Sequence, residues 1–167
     1  MLKQQIESYS TRIRQAKDSK ATEQILAEMR EAFSSSPPNV SEVVYLLNEI
    51  AEERDVPEAC IVFVAASYSL SQVYVPLLCR IVLNASLSAW HELAIEVLGE
   101  LAHVDSIAAL KAAVGYRWDC DAFLCVPTKA LEALSNIGSP EALEIITQAS
   151  ESSDEAVREM ALDLLQA

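Results

Sequence analysis

The sequence predicts an all-α protein built from stacked helical hairpins, and three observations carry that prediction. Ala, Leu and Glu dominate a chain of 167 residues that holds only 3 Gly and 6% aromatic residues; good helix formers with few interruptions favour helix. Apolar residues recur at helical spacing almost throughout. From Ser88 onward the chain repeats itself. Ala94, Ala130 and Ala161 align, with Val97, Ala133 and Leu164 three residues on and Leu98, Leu134 and Leu165 four residues on. The aligned alanines are 36 and 31 residues apart, a period at which helical hairpins stack into an array.

Taken in order, Ile6, Tyr9, Ile13 and Ala16 predict a first amphipathic helix, and Ile25, Leu26, Met29 and Phe33 a second. The stretch SSSPPN, Ser34–Asn39, breaks the pattern, because two prolines cannot continue a helix. Val43, Val44, Leu46, Leu47 and Ile50 predict a third helix ending near Asp55, and DVPE then reads as an N-cap Asp with Pro and Glu in the next first turn. The helix from Pro57, with ACIVFVAA, is apolar nearly all round and is expected to be buried on most sides; its β-branched content makes a strand the alternative. Gln72–Leu83 is a further apolar segment with Pro76 near its start. In the repeating part each unit has an apolar helix, a short turn and a second amphipathic helix. The tetrapeptide GSPE, Gly138–Glu141, is a stop-and-cap signal: Gly to end one helix, Ser to cap the next, Pro at its first position. Two domains are expected, residues 1–33 as a helical cap or arm and residues 40–167 as the array.

The chain carries 25 acidic and 12 basic residues, a net charge of -13. Six bases and four acids lie in the first 30 residues, so the remainder is the acidic part. Such a body repels nucleic-acid phosphates, which need Lys and Arg to neutralise them, and attracts basic partners through long-range steering. The alternative is that excess acid serves only solubility. Four cysteines, Cys60, Cys79, Cys120 and Cys125, lack disulfide-scaffold density and are expected to be buried thiols in a reducing cytosol. The N-terminal MLKQQIESYSTRIRQAK has no apolar signal-like region, and the longest apolar run, Ala59–Ala66, is too short to span a bilayer. A soluble cytoplasmic protein with no membrane or nucleic-acid partner is the expectation.

The segment VPTKALEALSNIGSPEALEIITQASESSDEAVREMALDLL resembles HEAT-like repeats of the short kind also found in bilin lyases and deoxyhypusine hydroxylase. The small residue Ala130 or Ala161, the paired apolar positions after it, and Asp154 with Val157-Arg158 in place of the repeat's usual Asp and Val-Arg carry the resemblance. It covers Ser88–Ala167 well, Val40–Ala85 less well, and nothing before residue 34. It implies a right-handed α-solenoid of antiparallel helix pairs, each burying its apolar face on its neighbours. It is specific for fold and nearly silent on function.

One stretch departs from the repeat. GYRWDCDAFLCV, Gly115–Val126, lengthens one turn, and arrays place insertions on one face, often the binding face. Tyr116, Trp118 and Phe123 with Arg117, Asp119 and Asp121 read as a partner-binding loop, or as aromatics folded back to plug the core.

The pair His91-Glu92 raises metal chemistry, because the hydroxylase that shares this repeat uses recurring His-Glu pairs. Here the equivalent positions are Pro127-Thr128 and Arg158-Glu159, and no second His-Glu exists; one pair is not a site. His91 also falls on the repeat's usual Arg position. The expectation is instead that Ser88 caps this helix, Glu92 suits its N-terminal dipole and His91 is exposed. His103 follows a helix end, where it suits the C-terminal dipole. Cys120 and Cys125 lack zinc spacing and further ligands, and Cys125 reads as core. Three glycines leave no phosphate loop. No metal, cofactor or catalytic residue is expected.

The acidic pattern is more informative. Glu96, Glu132 and Asp163 are equivalent, as are Glu92 and Glu159. The resemblance implies that these helices line a concave face, so the carboxylates would form a ladder there, self-repelling unless something basic sits on it. The alternative is ordinary solvated positions. The expected function is a non-enzymatic module presenting this acidic face and the 115–126 loop to a basic protein partner, with an immunity or inhibitor protein for a basic toxin as the sharper form. A bilin-lyase-like or metal-dependent hydroxylase-like enzyme, and a scaffold subunit of a larger assembly, are the alternatives.

Overall fold

The structure, a computed structural model, describes residues 1–56, 58–118 and 124–166. Its regular elements among these residues are ten α-helices and three 3-10 turns, so the chain is all-α. Contacts gather into two units, Met1–Ser71 and Gln72–Ala167. No single helix among the described residues is long and apolar enough to cross a membrane.

The first unit holds α1 (Leu2–Gln15), α2 (Ser19–Ser35), α3 (Val40–Ala51) and α4 (Ala59–Tyr68). The side chain of Asp18 accepts from the Ala21 N–H at 2.8 Å and starts α2. Asn39 does the same for α3 through Ser41 N–H at 2.9 Å, which satisfies donors a helix start leaves open. Helix α2 runs through two of the three serines before the break at residues 36–39. Its Phe33 is buried between Tyr9 and Tyr68, each with ring centroids 6.2 Å away. The N-terminal ammonium sits 2.6 Å from Glu42 of α3, and Arg14 of α1 2.8 Å from Glu58. The first two helices therefore pack on α3 and α4 within the unit Met1–Ser71.

Asp55 is not an N-cap. Helix α4 begins only at Ala59, after Glu58 in a left-handed conformation (φ 55°) that offers no side-chain cap, and the Glu58 carboxylate is taken by Arg14 instead. Helix α3 ends at Ala51, short of the expected Asp55. The apolar run ACIVFVAA is helical and buried at Ala59, Ile61, Val62, Phe63, Ala65 and Ala66, which removes the strand alternative.

The second unit holds α5 (Val75–Leu83), α6 (His91–Leu101), α7 (Ile107–Val114), α8 (Cys125–Ile137), α9 (Pro140–Ala149) and α10 (Glu155–Gln166). Helix α8 packs on α6, α7, α9 and α10, while α7 packs on α5 and α9. Two rows result, α6–α8–α10 and α5–α7–α9, the pattern of helix pairs stacking on neighbouring pairs. The aligned Ala94, Ala130 and Ala161 and the following Leu98 and Leu134 are fully buried. Leu165, their counterpart on α10, is exposed. A Cβ on Gly99 of α6 would stand 3.2 Å from the Ala133 Cβ and 3.3 Å from its Cα, so the α6 and α8 backbones approach closely there. At the α8–α9 turn Gly138 takes φ +62°, the Ser139 side chain accepts from the Ala142 N–H at 3.2 Å, and Pro140 opens α9, as GSPE predicts.

Candidate functional site

The candidate residues fall on the α6–α8–α10 row and on the segment after α7. On the row, Glu92 and Glu96 lie on one side of α6, Glu132 on α8, and Glu159 and Asp163 on α10. Glu96, Glu132, Glu159 and Asp163 are exposed and Glu92 half-exposed. The part of the row closest to α8 is not an unrelieved line of like charge. Lys129 of α8 places its ammonium 3.2 Å from Glu92 and also pairs with Glu96. Lys129 and Arg158 are the bases of these three helices. The chain thus supplies its own counter-ion at one end, and the sequence signal was available: Lys129 precedes the aligned Ala130 by one residue, where α6 has Leu93. Arg158 is turned away, donating to the carbonyls of Ser152 and Ser153. No ion pair forms to Glu100, Glu132, Glu159 or Asp163 among the described residues. Glu100 and Glu132 flank a groove of about 320 Å³ whose floor is Ile95, Gly99 and Ala133; Asn136 donates across it to the Gly99 carbonyl at 3.3 Å.

The segment after α7 turns inward. Tyr116 donates its hydroxyl to the Val82 carbonyl at 2.9 Å. Its ring lies 5.1 Å from Trp118, and both rings lie against His91 at 5.3 and 5.7 Å between centroids. Arg117 is spent inside the unit. Its Nε donates to Asp154 at 2.8 Å, and another nitrogen donates to the carbonyls of Val114 at 3.0 Å and Tyr116 at 2.7 Å. For Tyr116 and Trp118 the core-plug reading describes the geometry. Asp119 and Asp121, the remaining candidates of that loop, and Cys120 and Phe123 lie outside the described residues.

His91 is not the exposed residue the helical pattern suggested: it is 0% exposed. The reason is non-local, since Tyr116 and Trp118 cover it from some 25 residues away. Its Nε2–H donates to the Asn84 carbonyl at 2.9 Å, because a carbonyl can only accept. Nδ1 is then a bare acceptor, and among the described residues it has no partner; the buried Trp118 Nε1–H has none there either. Burial holds the imidazole below its ordinary value, against a smaller opposing pull from the Asn84 and Ile81 carbonyls. Ser88 does not cap α6: it lies in the 3-10 turn Ala85–Trp90, and Trp90 precedes the helix without a side-chain cap. His103 serves the turn that follows α6. Its Nδ1 accepts from the Asp105 N–H at 3.2 Å and opens the following turn.

Cys60 and Cys79 form no disulfide among the described residues. Burial, aided by Asp105, pushes the Cys79 thiol up to about 11, so it is no nucleophile near neutral pH. Cys125 is half-buried at the start of α8 rather than deep in the core. No group of three His, Cys, Asp or Glu able to hold a metal occurs among the described residues.

Residues 126–152 match the PBS lyase HEAT-like repeat family. The matched stretch is α8, the Gly138 turn and α9. No curated protein matches the chain. The match supports the repeat fold and carries no residue-level chemistry with it.

Proposed function

Because the chain carries a HEAT-like repeat, we propose that it is a non-enzymatic binding protein whose α6–α8–α10 row receives a basic protein partner. The observation that carries this reading is the set Glu100, Glu132, Glu159 and Asp163, carboxylates on a single row of helices with no ion-pair partner among the described residues. The second unit supports it, with 14 acids against 5 bases. Of those bases, Arg117 and Lys129 are already paired with carboxylates of the same unit. A partner's Lys and Arg meet a field that steers encounter and penalises acidic competitors. Masking of a basic toxin, as an immunity or inhibitor protein does, is the finer form of this reading and needs nothing beyond a tight, charge-matched surface.

The experiment is capture on the immobilised protein from its host's lysate, eluted in steps of salt, followed by kinetics with the eluted protein. One basic protein released only at high salt is expected. Glu132→Lys combined with Glu159→Lys and Asp163→Lys is expected to slow association about tenfold at low ionic strength, since removing complementary rim charge acts on the on-rate. Unchanged association kinetics in that triple variant would sink the acidic-row reading. A partner without basic character would sink the choice of partner.

A further inference from the structure

The three-ring cluster of His91, Tyr116 and Trp118 has no part in the acidic row, yet it holds two polar atoms that are buried and unpartnered. Burying an unpaired donor or acceptor is costly, and clusters that keep such atoms are candidates for a switch. His91 opens α6, so a positive charge there opposes the positive end of the helix. The groups around it offer no relief. Helix α5 and the residue after it present the carbonyls of Ile81 and Asn84, the latter already taken by Nε2–H. The 115–118 segment presents the Tyr116 phenol, committed to Val82, and the Arg117 guanidinium, drawn to Asp154. On α6 itself Glu92 is held by Lys129 of α8. Among the described residues no carboxylate pairs with the imidazole. A second proton would land on Nδ1, which has no hydrogen-bond partner among the described residues. The ring faces return part of that cost as cation–π attraction, but they stand in for neither water nor a counter-ion.

We propose that His91 is an acid-sensitive latch: its protonation releases Tyr116 and Trp118 from the start of α6 while the helices of the unit remain folded. The release exposes the two aromatic rings and frees the Tyr116 hydroxyl from Val82. Arg117, bonded to Asp154 and to the Val114 carbonyl, anchors the middle of the same segment, so the movement is a local peeling of rings rather than loss of the unit.

The test uses the full chain labelled with 5-fluorotryptophan. It gives two fluorine signals, Trp90 and Trp118, assigned with Trp118→Phe. As pH is lowered from 7 through the titration of the His91 ring, the Trp118 signal is expected to move to its solvent-exposed position while that of Trp90 and the far-ultraviolet circular dichroism hold. In His91→Phe, which keeps an aromatic ring but cannot titrate, the Trp118 signal is expected to stay put. His91→Gln is the second variant, also without a titrating group, and is expected to show an equally flat profile. A Trp118 signal that stays put in the unaltered chain while the His91 ring titrates overturns the latch. So does the same titration surviving in both variants, or helical signal lost together with the Trp118 shift.

Discussion

The two units spend their charge differently. In Met1–Ser71, cations reach across to other elements: the N-terminus to Glu42, Arg12 to Glu28, Arg14 to Glu58. Seven bases stand against 11 acids there. In Gln72–Ala167 the imbalance is larger, the cross-element pairs are Arg117–Asp154 and Lys129 with Glu92 and Glu96, and cohesion comes from small residues letting helices approach. A region that uses its cations to tie itself together has little charge left to offer; a region held by packing leaves its carboxylates free. Exposed pairs contribute little to stability in any case, so the distinction matters more for what each surface can attract than for how firmly each is held.

The comparison can be broken most decisively in the first unit. Phe33→Ala removes a buried ring that touches α1 and α4 and is expected to cost about 4 kcal/mol. Both tryptophans lie in the second unit, so denaturant unfolding followed by tryptophan emission should keep its midpoint while the circular-dichroism transition gains an early step. A single shared shift would mean that the units unfold as one. In the second unit Gly99→Val forces bulk against Ala133 and is expected to cost about 2–3 kcal/mol, read as a lower midpoint of the tryptophan transition. Gly99→Ala should be near neutral: gaining about 1 kcal/mol of helix propensity offsets the 3.2 Å contact.

A smaller effect is expected with pH. His91 has its folded-state pKa lowered by burial, so it binds a proton more readily when unfolded, where the ordinary value is about 6.5. Its contribution is fully present above that value and lost as pH falls through the lower folded-state one. Melting temperatures of the tryptophan-reported transition should therefore fall on acidification below that point, and His91→Phe should flatten that part of the profile. Smallest of all, Lys129→Met uncovers Glu92 and Glu96. It should quicken association with a basic partner about twofold at low salt and leave the melting temperature nearly unchanged; a slower encounter would show that Lys129 itself touches the partner.

What the sequence shows well is local or periodic. The Gly138 turn and its Ser139 cap lie within four residues of one another, and the alanine column at 94, 130 and 161 is visible because the fold repeats it. What it hides is decided by distant chain. Nothing near Ser34–Asn39 reveals that Phe33 meets Tyr68, so the sequence leaves residues 1–33 as either a cap or an arm. Nothing in HELAIEVLGEL reveals that Tyr116 and Trp118 cover His91. Left-handed Glu58 and Ala102 are equally silent, since non-glycine residues rarely adopt that conformation. Among the site residues the acidic positions were legible from the repeat register, whereas their partial neutralisation by Lys129 depends on the distance between two helices.

The close approach at Gly99 and Ala133 has a metric consequence. Neighbouring helices in such a row stand about 8–10 Å apart, and the residue at the crossing decides where in that range they settle. Outward side chains inherit that interval as their repeat distance. A glycine facing an alanine therefore works as a ruler, setting the pitch at which negative charge recurs along the row. A partner whose lysines and arginines are spaced to the same pitch can engage several carboxylates at once; one with the same net charge in another spacing cannot.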